Sequence, residues 1–119
     1  MSMESNYYVI AGYDLTGYGT DKYEKWKWTE EGEKYTCNQF AGEIQIFDDP
    51  MKGSHLYLGY ILASGDEYCF KTTSFEVSVI EKFFEKVKSE LIKLQEIGVI
   101  LKYPHLNPEF KVIVFEECR

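Results

Sequence analysis

Along the first two thirds of the chain, short apolar runs alternate with glycine, aspartate and proline, and a single long stretch of three- and four-residue spacing follows. Tyr7-Tyr8-Val9-Ile10-Ala11-Gly12-Tyr13 is β-branched and aromatic and runs into Asp14-Leu15-Thr16-Gly17-Tyr18-Gly19, the pattern of a buried strand followed by a turn. Glu24 to Thr29 and Lys34 to Phe40 flank Glu30-Glu31-Gly32-Glu33, which predicts a β-hairpin with a short glycine-containing loop. A short helix capped by Thr20 is the rival reading for residues 21 to 28. Glu43-Ile44-Gln45-Ile46-Phe47 alternates polar and apolar as a half-buried strand does, and Asp48-Asp49-Pro50 with Lys52-Gly53-Ser54 supplies a long turn. Leu56 to Leu62 is the next strand, and Gly65-Asp66 turns it back into Glu67 to Thr73 as an antiparallel partner.

From Ser78 to Ile97 the spacing changes to that of a helix. Ile80, Phe83, Phe84, Val87, Leu91 and Leu94 form an apolar stripe, while Lys82, Glu85, Lys86, Ser89, Glu90 and Lys93 fill the other face. Ser78 and Glu81 have the spacing of a capping box, and Gly98 is placed to cap the C-terminal end. Beyond Pro104 and Pro108, Phe110 to Phe115 reads as a final strand with apolar residues on both faces, which predicts a central position or a covering partner. The elements add up to an α+β fold, an antiparallel β-sheet of five to seven strands with one long amphipathic helix packed across one face. At 119 residues the chain has the length of a single α+β domain spanning 1–119.

Composition narrows the class. The chain is 45% hydrophobic and 17% aromatic, ample for a core and unlike a disordered segment. Its longest apolar run without a charge, Leu56 to Ser64, is far short of the roughly 20 residues that span a bilayer. With a polar, acidic start at Met1 to Asn6 in place of a signal sequence, a soluble, cytoplasmic protein is expected. Cys37, Cys69 and Cys118 are odd in number and widely separated, so free thiols are expected rather than a disulfide framework or zinc site. A formal charge of −7 disfavours nonspecific nucleic-acid binding and would favour a basic partner.

Catalytic patterns are incomplete. Gly12 and Gly17 have phosphate-loop separation after a strand, but Tyr18 stands where that loop needs lysine and Gly19 where it needs Ser or Thr. Asp14, Asp48, Asp49 and His55 are the residue types that could hold Mg²⁺ or Mn²⁺, with a solvated turn as the plainer account of Asp48-Asp49-Pro50. His55 and His105 do not begin the His-x-Ser/Thr pattern of two-histidine phosphoesterases. Cys37 or Cys69 beside His55 would make a nucleophile and base, although a buried thiol in a strand is more often core. Ser64-Gly65 lacks the preceding glycine of a nucleophile elbow, because Leu62 occupies that place. No cofactor or metal is expected.

The densest local feature is aromatic. Tyr13, Tyr18, Tyr23, Trp26, Trp28 and Tyr35 precede residue 36, interleaved with Asp14, Asp21, Lys22, Lys25 and Lys27. In a hairpin, Trp26 and Trp28 would share one face with Lys25 and Lys27 on the other, so Tyr18, Tyr23, Trp26, Trp28 and Tyr35 are the candidate ligand- or partner-binding residues. The alternation of short aromatic strands with one helix, together with the acidity, resembles small accessory proteins of bacteriophages and mobile elements. That resemblance implies a stoichiometric binder or inhibitor, such as an antagonist of a host defence system. The leading expectation is therefore a nonenzymatic binding or inhibitory module that recognises a protein or small ligand. The alternatives are a small-ligand or metal-dependent enzyme using Asp14, Asp48, Asp49 or His55, and a structural self-assembling subunit. A homo-oligomer is expected from the doubly apolar final strand.

Overall fold

The computed structural model describes residues 5–49, 55–66, 76–102 and 108–118. In chain order the elements are β1 (Ser5–Asp14), α1 (Tyr23–Trp26), α2 (Glu30–Thr36), β2 (Ile44–Asp49), β3 (His55–Asp66), α3 (Val77–Lys82), α4 (Phe84–Glu96) and β4 (Lys111–Cys118). The strands form an antiparallel sheet of four in the order β2-β3-β1-β4. The expected α+β architecture is present, but the described sheet has four strands rather than five to seven. The strand expected at 67–73 lies outside the described residues.

Curvature organises this sheet. Tyr8 pairs with Ser64 and with Phe115, whereas Tyr57 pairs with Asp14, six positions further along β1. A flat strand would separate those levels by about 20 Å. Yet the Phe115 ring centre is 4.9 Å from that of Tyr57, and Tyr8 is 4.7 Å from Phe47, the partner of Tyr57 on β2. The sheet must therefore coil until the two ends of its concave face meet.

Two local features permit the coil. The β1–β3 register shifts between Val9 and Ile10, where Val9 pairs with Ala63 and Ile10 with Ile61, leaving Leu62 as the extra residue of a bulge. Two positions on, Gly12 pairs with Gly59 on the concave face. A β-carbon on Gly12 would lie 1.9 Å from the Leu58 carbonyl oxygen, and one on Gly59 would lie 2.9 Å from Ile10 Cδ1. The first conflict is with backbone, so no rotamer change relieves it.

Each face of the sheet has its own core. On the concave side Tyr8, Ile10, Phe47 and Ile61 are buried, with Tyr57, Ile113 and Phe115 packed against them. On the other side Val87, Leu91 and Leu94 of α4 pack on Tyr13, Leu15, Ile46, Leu56 and Leu58, joined by Tyr23, Val99 and Ile100. Alternation along β2 thus serves two cores at once. Gln45, expected as a polar outward position, is 1% exposed.

The long helix is bent. It starts at Val77 with Glu76 as N-cap and no side-chain cap, rather than at Ser78 with a capping box, and it breaks at Phe83. Phe83 lies flat on Tyr60 of β3, ring centres 3.7 Å apart and planes 9° from parallel. Gly98 ends the helix as expected, at φ +88°.

Two other expectations are corrected. The hairpin at 24–40 is instead α1 and α2, because Thr29 caps α2 by accepting from the Gly32 N–H at 3.2 Å, and Glu30, Glu31 and Glu33 fill its first turn. The rival helical reading was nearer, although α1 covers only Tyr23–Trp26. Of the two positions expected for the last strand, central or covered by a partner, the central one fails: among the described residues β4 lies at the edge of the sheet, with Val112 and Val114 exposed.

Gly12→Ala is expected to destabilise the fold by at least about 3 kcal/mol, lowering the thermal midpoint by about 10 °C or more. Gly19→Ala meets only Leu56 Cδ2 at 3.4 Å and is expected to change stability by about 1 kcal/mol or less. Thermal melts of the two variants check this, and equal effects would discount the glycine pair as the site of closest approach.

Candidate functional site

The segment between β1 and β2 is built around tethers to the core. Thr20 Oγ1 donates to the Gly98 carbonyl at 2.6 Å, fixing the start of the segment to the end of α4. One turn on, Tyr23 enters the core and Trp26 packs at its margin. The chain then closes tightly on itself, since Thr29 Oγ1 donates to the Trp26 carbonyl at 2.6 Å and Gly32 sits where a β-carbon would be 2.1 Å from that same oxygen. Only glycine fits this crossing of α1 and α2. At the far end the buried Gln45 donates through Nε2 to the Lys34 carbonyl at 2.7 Å and accepts from the Asn38 N–H at 3.0 Å, which fastens α2 along the edge of β2.

These tethers leave a groove between α2 and α4. One hollow, of about 360 Å³, is lined by Lys34, Tyr35, Ile44, Tyr60, Lys86 and Glu90 among others. The next, of about 310 Å³, is lined by Trp26, Glu31, Lys34, Tyr35, Lys93, Glu96 and Ile97. Lys34 and Tyr35 line both, and the Tyr35 hydroxyl donates to Glu90 Oε2 across the groove. Trp26 and Tyr35 stand 5.5 Å apart between ring centres, and Lys93 Nζ lies 3.4 Å from Glu90 Oε1. The result is an aromatic floor with a mixed-charge rim.

The five candidate aromatics separate. Tyr35 and Trp26 line the groove, Tyr23 is buried in the core, Tyr18 is half-buried against it, and Trp28 is 74% exposed outside both hollows. Lys27 Nζ sits 5.5 Å from the centre of the Trp28 ring, so the lysine is on the tryptophan's own side and not on an opposite hairpin face. Lys34, Tyr60, Lys86, Glu90 and Lys93 were missed as site residues. The i, i+4, i+7 spacing of Lys86, Glu90 and Lys93 was the available signal, because it aligns them in one stripe beside the apolar one. That stripe reads as solvated until α2 is known to lie along it.

The acidic and histidine set is divided by the sheet. Asp48 pairs with Leu56 and faces the helices, where Lys27 Nζ holds it at 3.3 Å. Asp14 pairs with Tyr57 on the concave side and accepts from the Thr16 N–H at 3.0 Å, an ordinary turn bond. His55 also faces the concave side, stacked on Tyr57 at 4.5 Å with Glu117 Oε1 3.7 Å from its Nε2. The side chain of Asp49 and all of His105 and Cys69 lie outside the described residues. Among the described residues, no group of three His, Cys, Asp or Glu could hold a metal ion. Cys37 is an exposed free thiol at the end of α2. No helix among the described residues is long and apolar enough to cross a membrane.

No protein-family model matches the chain, and neither a curated protein nor a solved structure does.

Four tyrosines have hydroxyls pushed above the ordinary value near 10. Burial is the main cause in each, and nearby carboxylates add to it: Glu85 for Tyr13, Asp48 for Tyr23, Glu90 for Tyr35 and Asp14 for Tyr57. Above pH about 10 the unfolded chain loses phenolic protons that the folded chain keeps, so stability is held below that pH and falls as pH rises past it. An alkaline titration followed by tyrosinate absorbance and circular dichroism should show a late group of tyrosines ionising together with unfolding. Independent ionisation of all ten tyrosines before any loss of structure would contradict this.

Proposed function

We propose that this chain is a nonenzymatic binding module that recognises a protein partner through the groove between α2 and α4. The observation that carries the reading is the joining of two hollows at Tyr35 and Lys34, with Trp26 and Tyr60 at the floor. Aromatic anchors surrounded by charged residues are the anatomy of a protein-binding hot spot. A small-ligand site would be more enclosed and would carry few charges, whereas this groove is bordered by Lys34, Lys86 and Lys93 and by Glu31, Glu43, Glu90 and Glu96. The enzyme reading has less to stand on, because Asp48 is on the opposite side of the sheet from Asp14 and His55. Taken with the likeness to phage accessory proteins, the proposed role is stoichiometric inhibition, and a component of a host defence system is the proposed partner class.

Recovery of the partner from cell extract, with proteins and small molecules both identified by mass spectrometry, opens the test. Affinities of folded variants then complete it. Trp26→Ala is expected to weaken binding by about 2 kcal/mol, roughly 30-fold. The exposed double change Lys34→Glu with Lys93→Glu should weaken it without altering the fold. Trp28→Ala, Asp48→Asn and His55→Ala should leave affinity nearly unchanged. Full affinity in folded Trp26 and Lys34/Lys93 variants, with activity lost in the His55 or Asp48 variant, would transfer the site to the other set.

A further inference from the structure

The polar groups of the larger hollow, about 360 Å³, divide into those already engaged and those left over. Both oxygens of Glu90 are taken, Oε2 by the Tyr35 hydroxyl and Oε1 by Lys93 Nζ. The Gln45 amide is spent on the Lys34 carbonyl and the Asn38 N–H. What remains is mostly donors. Among the described residues no carboxylate pairs with Lys34 or Lys86, and no acceptor takes the Tyr60 hydroxyl. Against these three donors stands one unengaged carboxylate, that of Glu43.

The three donors come from three elements. Lys34 is on α2, Lys86 on α4 and Tyr60 on β3, and Ile44 lines the same hollow. Lys86 Nζ lies 6.0 Å from the centre of the Phe83 ring, which stacks on Tyr60, so the ammonium stands beside the ring whose hydroxyl is unused. A carboxylate brought here meets two ammoniums and a phenol. An ammonium meets the Glu43 carboxylate and repulsion from two lysines. The charge of −7 on the whole chain favours basic partners at long range. That field decays over about 8 Å at physiological salt, so contact inside the hollow is decided by the groups that line it.

We infer, resting on the proposal that this groove binds a protein, that the hollow takes the carboxylate of an aspartate or glutamate from the partner, between Lys34 and Lys86 with the Tyr60 hydroxyl as third donor. The contact segment is an acidic residue flanked by apolar ones. The ammoniums take the acid, and Ile44 with the Tyr60 ring takes its neighbours.

Two capped peptides, acetyl-Ala-Leu-Glu-Leu-Ala-amide and its glutamine counterpart, serve as probes. They are titrated from about 0.1 to about 10 mM, a range that reads millimolar affinity, and followed by the amide chemical shifts of the protein. The glutamate peptide is expected to move the signals of Lys34, Tyr60 and Lys86 saturably, and the glutamine peptide to bind at least about fivefold more weakly. Lys86→Glu, at an exposed position, should remove that preference while keeping the native circular dichroism. Tyr60→Phe keeps the ring on Phe83 and should weaken the glutamate peptide by about threefold. Equal affinity for the two peptides overturns the inference, as does a preference for glutamate that survives in folded Lys86→Glu and Lys34→Glu variants. A glutamate peptide that leaves these signals unmoved overturns it as well. The groove itself is judged separately, by the affinity of Trp26→Ala for the recovered partner, so failure of the acidic anchor and failure of the groove are told apart.

Discussion

The close approach of β1 and β3 at Gly12 and Gly59 is the constraint from which the rest of the architecture follows. Without side chains at that crossing the sheet can coil, and coiling brings Phe115 onto Tyr57 and Tyr8 onto Phe47. The concave core is therefore filled by aromatic residues from both ends of the same strands. No helix among the described residues contributes to it. α4 is then free to serve the other face alone, with its charged stripe turned toward α2.

The groove inherits its geometry from this arrangement. Its floor uses Tyr60 of β3, its far wall the stripe of α4, and its near wall two short helices. Helices of four and seven residues are too short to persist alone in water, so their shape comes from their attachments. Thr20 at Gly98, Gly32 under Trp26, Gln45 at Lys34 and Tyr35 at Glu90 supply them. The wall is held at intervals, and each tether is a single polar contact or close crossing.

Much of the scaffold was legible in the chain. The strands at β1, β2, β3 and β4 and the long helix with its Gly98 cap announce themselves through period and punctuation. What misled was local chemistry that only tertiary placement resolves. Trp26, Lys27 and Trp28 alternate like a strand, yet Thr29 as an N-cap and the acids behind it outweigh that alternation. The apolar character on both sides of β4 points equally to a central strand and to one covered by a partner. Gln45 looks outward by alternation but is buried by α2, a contact between residues eleven apart whose register no pattern reveals. Of the candidate site, the sequence picked out Trp26 and Tyr35. It could not pick out Glu90 or Lys34, because a charged residue on a helix carries no mark of what faces it.

Strand order also bears on how the molecule comes together. β1 has β3 as one neighbour and β4 as the other, and Tyr8 meets Phe115 from nearly the opposite end of the chain. The three strands β1, β2 and β3 can assemble once the chain reaches Asp66, but the concave core lacks Ile113 and Phe115 until the last strand arrives. That late closure of a very long loop is a slow, high-contact-order event. In the interval the aromatic interior is lidless, and β1 offers a bare edge to any strand nearby. A growing chain would meet its greatest hazard of mispairing at that stage, before β4 docks and the coil shuts.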